Sequence, residues 1–237
     1  IIRSTWQTLF RNATPFETRF VISQPDPLWS SLIEQENTTY GDIIMLPHLE
    51  ETHHIANTIK TLEFFKHLIT ENYHWDILSK MDEDSFIDAR NFYKEWLHPL
   101  LNTENPPPQK IYIGRPMQLH YPFKYASGQF YTLSWDMITL LSQLHNENPI
   151  DDEHEDVLLG RLMHEANIAY NVTELPLRAA FDYYDDKTRG DGTAWAPEDQ
   201  NVDVLGHALA PGALNPHLLK EEEDYLKVAG CYNSLGL

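Results

Sequence analysis

Short β-branched runs alternate with helix-length amphipathic segments along the first half of the chain, and that alternation confines it to an α/β architecture. Phe20-Val21-Ile22-Ser23-Gln24 reads as a strand ended by Pro25-Asp26-Pro27, and Leu28–Tyr40 as a helix punctuated by Gly41. Asp42-Ile43-Ile44-Met45-Leu46 is a second buried strand, stopped by Pro47. Ile55, Ile59, Leu62, Phe65 and Ile69 fall near a 3.6-residue period, which predicts one long amphipathic helix. A strand over 75–81 and a helix from Asp88 to Leu101 follow. Alternation of this kind predicts a mostly parallel sheet flanked by helices.

Asn105-Pro106-Pro107-Pro108 is a rigid break. Beyond it come strands over Lys110–Gly114 and Gln129–Ser134, then helices over Trp135–Leu144 and from Glu155 to Ala166. Residues 185–200, with Arg189-Gly190-Asp191-Gly192, read as a polar loop, and Val202–His207 as a short last strand. At 237 residues with no internal repeat, a single domain over 1–237 is expected.

Charge removes one class of function. With 17 basic against 36 acidic residues, a net charge of −19, the surface does not suit nucleic acid, whose phosphates need clustered Lys and Arg. A local cationic or metal-neutralised pocket for one small anion stays compatible with it. No apolar run reaches the roughly 18 residues of a membrane span, and no signal peptide is visible. The chain opens at Ile1 without a methionine, so any membrane anchor is expected upstream. The single cysteine, Cys231, forbids an internal disulfide and leans towards a reducing compartment; the sequons at Asn12, Asn37 and Asn171 lean the other way.

Two acidic motifs could carry chemistry. The strand over 75–81 runs directly into Asp82-Glu83-Asp84, at the carboxyl end of a strand, where α/β sheets bind ligands. Asp82 and Asp84 would there offer oxygen to a hard divalent cation; a solvated acidic turn is the plainer alternative. Glu155-Asp156-Val157 opens a helix, where acidic side chains complement the dipole, or where Asp156 could serve as a general base. Among 12 histidines, His207 at the end of the last strand and His217 past it could return a third ligand to a metal. Tyr121-Pro122 through Gly128 to Tyr131 is an aromatic turn entering a strand; Gly128 could take positive φ or let backbone approach a ligand.

In series, these segments resemble the β-1,3-galactosyltransferase and N-acetylglucosaminyltransferase family, glycosyltransferase family 31, and its fungal branch in particular. The resemblance covers roughly residues 1–165: Ile2-Arg3-Ser4-Thr5-Trp6, Glu36 to Tyr40-Gly41-Asp42-Ile43-Ile44, Asn57-Thr58-Ile59-Lys60-Thr61, Lys80-Met81-Asp82-Glu83-Asp84-Ser85-Phe86, Tyr121-Pro122 to Gly128 and Tyr131, and Glu155-Asp156-Val157-Leu158-Leu159-Gly160. His217-Leu218-Leu219-Lys220 resembles the fungal ending His-x-Leu-Lys. Glu83 stands where the middle aspartate is commoner, and Ala126 where many animal members have cysteine. The family's first strand is expected upstream of Ile1.

The resemblance implies a GT-A fold and an inverting enzyme that moves galactose or N-acetylhexosamine from a UDP-sugar to a hydroxyl of a glycan acceptor, with a β-1,3 linkage. It implies Mn²⁺ held by Asp82, Asp84 and His217 (or His207), a diphosphate site near Asp82, Glu83 and Asp84 with Arg3 and Lys60 towards the nucleotide, and Asp156 as base. Tyr121, Gly128 and Glu155 would bind substrate. Members of this kind are type II membrane proteins of the Golgi. The alternatives are an inactive carbohydrate- or nucleotide-binding module of the same fold, and a metal-dependent phosphohydrolase, which would want further ligands for a second metal.

Overall fold

The computed structural model describes residues 1–10, 15–102, 109–168, 171–177, 179–183 and 213–234. The expected strand Val202–His207, with His207 itself, the loop 185–200, Asn12 and the Asn105–Pro108 break lie outside the described residues.

The first unit is a β-α-β crossover. Strand β1 (Phe20–Gln24) pairs in parallel with β2 (Ile43–Glu50), and helix α2 (Pro27–Tyr40) joins them; a short α1 (Trp6–Phe10) precedes. Helix α2 starts at Pro27 because Asp26 caps it, its carboxylate accepting the Leu28 N–H at 2.8 Å, with the proline at the first helical position. It stops at Gly41, whose φ of 64° is the left-handed geometry of a helix C-cap. Strand β2 continues past Pro47, contrary to the expected stop. Ser23 pairs with Leu46 and Gln24 with Glu50, so Pro47 sits in an irregularity of the ladder, where prolines are tolerated in sheets.

The expected long helix is two: α3 (His53–Asn57) and α4 (Lys60–Thr70). Thr58 breaks them, its hydroxyl donating back to His54 O at 2.8 Å while its backbone leaves helical geometry (ψ −87°). The predicted helix over 88–101 forms as α5 (Ala89–Phe92), a π-turn over Tyr93–Leu97, and α6 (His98–Leu101). Pro99 accounts for the widened turn, since its ring would collide with the Glu95 carbonyl in a regular α-helix.

The central sheet corrects the expectation of a mostly parallel one. Strands β3 (Ile77–Met81), β4 (Ile111–Met117), β5 (Tyr125–Ser134) and β6 (Asn171–Glu174) lie in the order β3-β5-β4-β6. Here β5 is antiparallel to both neighbours, and only β4 and β6 run parallel. The physical reason is the loop between β4 and β5. Both strands extend further than their apolar runs suggest, leaving only residues 118–124 between them, whereas a parallel crossover needs about a dozen residues.

Side chains alternate across β5. Tyr131 and Leu133 enter a core with α7 (Trp135–Glu147) and α8 (Glu155–Glu165), while Phe130 enters a second core with Phe86, Phe92 and α9 (Glu222–Ser234). In the second core Phe86, fully buried, stacks on Tyr232 at 4.8 Å and 17°. No helix among the described residues is long and apolar enough to cross a membrane. Truncating Phe86→Ala is expected to cost about 3–5 kcal/mol, read from the shift of the denaturant midpoint at unchanged slope.

Candidate active site

Backbone pairing carries a distant histidine to the acidic motif. The Phe86 N–H donates to Pro216 O (2.9 Å), Asp88 N–H to Leu214 O (2.8 Å) and Leu219 N–H to Asp84 O (2.9 Å). These bonds lay strand β8 (Asn215–His217) along the segment after β3, and β7 (Ala180–Asp182) pairs with β8 in parallel. Asn215 locks the join: its side chain donates to Phe86 O (2.9 Å) and accepts from Gln129 (2.8 Å). Leu218 then adopts φ 63°, a strained left-handed geometry for a non-glycine residue.

The outcome is a convergent donor set. One oxygen each of Asp82 and Asp84 and one ring nitrogen of His217 lie within 4.8 Å of one another. His217 Nε2 is 3.3 Å from Asp84 Oδ1 and 3.7 Å from Asp82 Oδ2, while Nδ1 meets Asp182 Oδ1 at 2.7 Å. A neutral imidazole donating Nδ1–H to Asp182 would aim the Nε2 lone pair at two carboxylate oxygens. That arrangement is repulsive unless a proton or a metal cation lies between them, so the residues present fit a hard or borderline divalent ion.

The electrostatics keep Asp84 charged. Burial works to raise the Asp84 carboxyl, yet bonds from His217 and Lys220 outweigh it and hold the group well below the usual carboxylate range. Burial likewise works to lower His217, and its bonds to Asp182 and Asp84 more than reverse this. Buried Arg115 backs Asp182, with Nη2 at 4.0 Å from Oδ2.

Lys80 joins this cluster to the second acidic motif. Its ammonium donates to Asp82 Oδ1 (2.5 Å) and to Gly128 O (2.7 Å), and pairs with Glu155 Oε1 at 2.8 Å. Glu155 Oε2 accepts the Tyr131 hydroxyl at 2.7 Å. Beside it, Asp156 accepts the N–H groups of Gly128 (3.0 Å) and Val157 (2.8 Å). Burial raises the Asp156 carboxyl despite these bonds, and burial raises Glu155 despite Lys80. Gly128 serves by close approach and not by positive φ. A Cβ there would sit 3.2 Å from Glu155 Oε1 and 3.5 Å from Asp156 Oδ2.

Other expected site residues sit elsewhere. Glu83 is exposed at the turn and is not one of the convergent ligands. Arg3 is engaged in the β-α-β unit, forked onto Asp42 at 2.8 Å, paired with Glu36 at 2.5 Å, and held between the rings of Phe20 and Tyr40. Lys60 is paired with Glu51 at 2.8 Å. Among the described residues, neither cation is seen bonded to the Asp82–Asp84–His217 cluster. Tyr121 lies in the β4–β5 loop, stacked on Phe123. Sequence reasoning missed Asp182 and gave Lys80, Tyr131 and Lys220 no role, although each of these three lies in a motif that the resemblance matches.

Against known families, the model of the galactosyltransferase domain matches residues 1–122 of the 237. The chain belongs to the galactosyltransferase family. A probable β-1,3-galactosyltransferase 1 of Arabidopsis thaliana is 27% identical over 193 residues, which cover 67% of this chain and 47% of the plant protein. The chain thus spans about half the length of that galactosyltransferase.

If Asp182 holds the ligand tautomer of His217, Asp182→Asn should weaken Mn²⁺ binding about 10- to 100-fold by titration calorimetry. An unchanged affinity would leave Asp182 no part in holding a metal at the candidate donor set.

Proposed function

We propose that this galactosyltransferase-family chain is an inverting, Mn²⁺-dependent hexosyltransferase that moves galactose or N-acetylhexosamine from a UDP-sugar to a sugar hydroxyl, forming a β-1,3 linkage. The single observation that carries this reading is the pair of acidic centres tied together by Lys80, one able to hold a cation and one raised in pKa. Asp82, Asp84 and His217 would hold the metal. When bound, it would supply Lewis-acid stabilisation of charge on the departing diphosphate. Lys220, paired with Asp84, is placed to add positive charge on the same side.

Asp156 is the group for the acceptor. A carboxylate in a partly desolvated setting is a stronger base than a free aspartate, and a base works best when its pKa approaches the operating pH. Its bonds from Gly128 and Val157 fix the carboxylate's orientation, so the acceptor proton would pass to an oxygen already positioned. Inversion follows from a single displacement, with the hydroxyl attacking from the face opposite the leaving diphosphate. Glu155, held by Lys80 and Tyr131, would shape the floor under the sugar.

Arg3 and Lys60 would act at the nucleotide end by fixing the β1–β2 unit. A Golgi lumenal setting with an upstream anchor, and a place in the fungal branch, complete the proposal. An inactive binding module gains nothing from a pKa-raised aspartate beside a metal-ligand set.

Transfer assayed as UDP release over a panel of UDP-sugars and acceptors should require Mn²⁺, vanish with EDTA, and fall about 10²- to 10⁴-fold in Asp156→Asn. Metal-independent transfer, or an unaffected variant, would sink the mechanism. The base acts deprotonated and burial favours the protonated form. The acid limb of kcat/KM should therefore have its midpoint above the range of a free aspartate, and a limb at the ordinary value would contradict the role given to burial.

A further inference from the structure

Helix α2 ends on a sequon, Asn37-Thr38-Thr39, that the candidate active site leaves unused. Of the three sequons, this one alone has its asparagine side chain among the described residues. Asn37 sits at the turn from α2 into β2 and is bonded there twice. Its backbone carbonyl accepts the Gly41 N–H at 2.7 Å, and its Oδ1 accepts the Ile43 N–H at 3.1 Å. A backbone N–H can only donate, so the amide oxygen is the atom held by β2 and the amide nitrogen is the other one. Among the described residues Nδ2 meets no hydrogen-bond partner, and Asn37 is only half-buried.

Beside this amide lies an open groove of about 360 Å³, lined by Ile33, Glu34, Asn37, Thr38 and Met45. That volume falls in the range of a small-molecule site. Ile33 stands one helical turn before Asn37 on the same face, and Met45 comes from β2; both are half-buried. Exposed Glu34 adds a carboxylate to the lining. The groove therefore offers apolar surface to the C–H groups of a sugar and an acceptor to its hydroxyls.

We propose that Asn37 is an N-glycosylation site whose first sugar seats in this groove between α2 and β2. The proposal rests on the lumenal setting given above. The co-reactant is an oligosaccharide carried on a lipid diphosphate. Nδ2 bonds to its anomeric carbon, one amide proton is lost to a base, and the carbon–oxygen bond breaks with its electron pair leaving on the lipid diphosphate. The product amide keeps its carbonyl oxygen, so the bond from Ile43 survives the modification. Attachment precedes completion of α2, because in the finished helix the Thr39 hydroxyl is engaged by Gln35 O at 2.8 Å.

The test is secretion of the full chain from a eukaryotic host behind a cleavable signal sequence. Peptide N-glycosidase in heavy-oxygen water should then label Asn37 in the tryptic peptide Phe20–Lys60, which holds no other sequon. Thr39→Ala destroys the sequon and leaves Asn37 in place. It should abolish the label and lower the melting temperature by about 2–4 °C. Alanine by itself favours a helix, so the fall reads the lost sugar, and the same pair made in bacteria, without glycan, should show no fall. An unmodified Asn37 in the secreted chain would overturn the site. No fall, or an equal fall with and without glycan, would overturn the seat in the groove. If protease protection of cell fractions places the native protein outside the lumen, the lumenal reading fails instead, and the secreted chain still decides whether Asn37 takes a glycan.

Discussion

The Lys80 ammonium is the interaction on which the site depends. A cation largely removed from water needs acceptors for its N–H groups, and here they come from three parts of the fold: Asp82 just past β3, the Gly128 carbonyl in β5, and Glu155 at the start of α8. Burial works to lower this amine, but the attraction of Glu155 and Asp82 outweighs it and keeps Lys80 charged. Without that charge, buried Glu155 would face Asp156 uncompensated, and Asp82 would lose the contact that fixes its direction. The same Gly128 peptide gives its carbonyl to Lys80 and its N–H to Asp156. One amide therefore sets the spacing between the Asp82–Asp84–His217 cluster and the Glu155–Asp156 pair.

Those two sides are tuned in opposite directions. Asp84 is driven down by His217 and Lys220 against its burial, so it stays an acceptor-only carboxylate. Asp156 is driven up by burial against two backbone N–H groups, so it can take a proton. Carboxyl groups pushed apart by their environments are a sign of separate roles. In a chain of net charge −19, this depends on a few well-placed cations and not on a basic surface.

Much of the fold was legible where the signal is local. Strand Phe20–Gln24 needed only its β-branched run, and helix α2 its Asp26-Pro27 start and Gly41 stop. The sheet's mixed direction was less visible, because it depends on how far β4 and β5 extend towards each other. Apolar runs marked only their centres, and the aromatic turn between them gave no measure of loop length. Of the candidate site, the positions of Asp82, Asp84 and Asp156 stand out in the sequence at a strand end and a helix start. Asp182 does not, since Phe181-Asp182-Tyr183 resembles any short strand, and only the pairing of β7 with β8 brings it to His217. Residue Tyr131 was read as part of a motif but not as the partner of Glu155, a contact that forms only when α8 packs on β5.

The central claim is a division of labour across the Lys80 clamp, with diphosphate on the metal side and acceptor on the base side. Its most direct test is calorimetric titration of UDP, with and without Mn²⁺, into wild type, Asp84→Asn and Asp156→Asn. The account predicts Mn²⁺-dependent UDP binding that is lost in Asp84→Asn and kept in Asp156→Asn. UDP binding that ignores Mn²⁺, or that is lost equally in both variants, would contradict it.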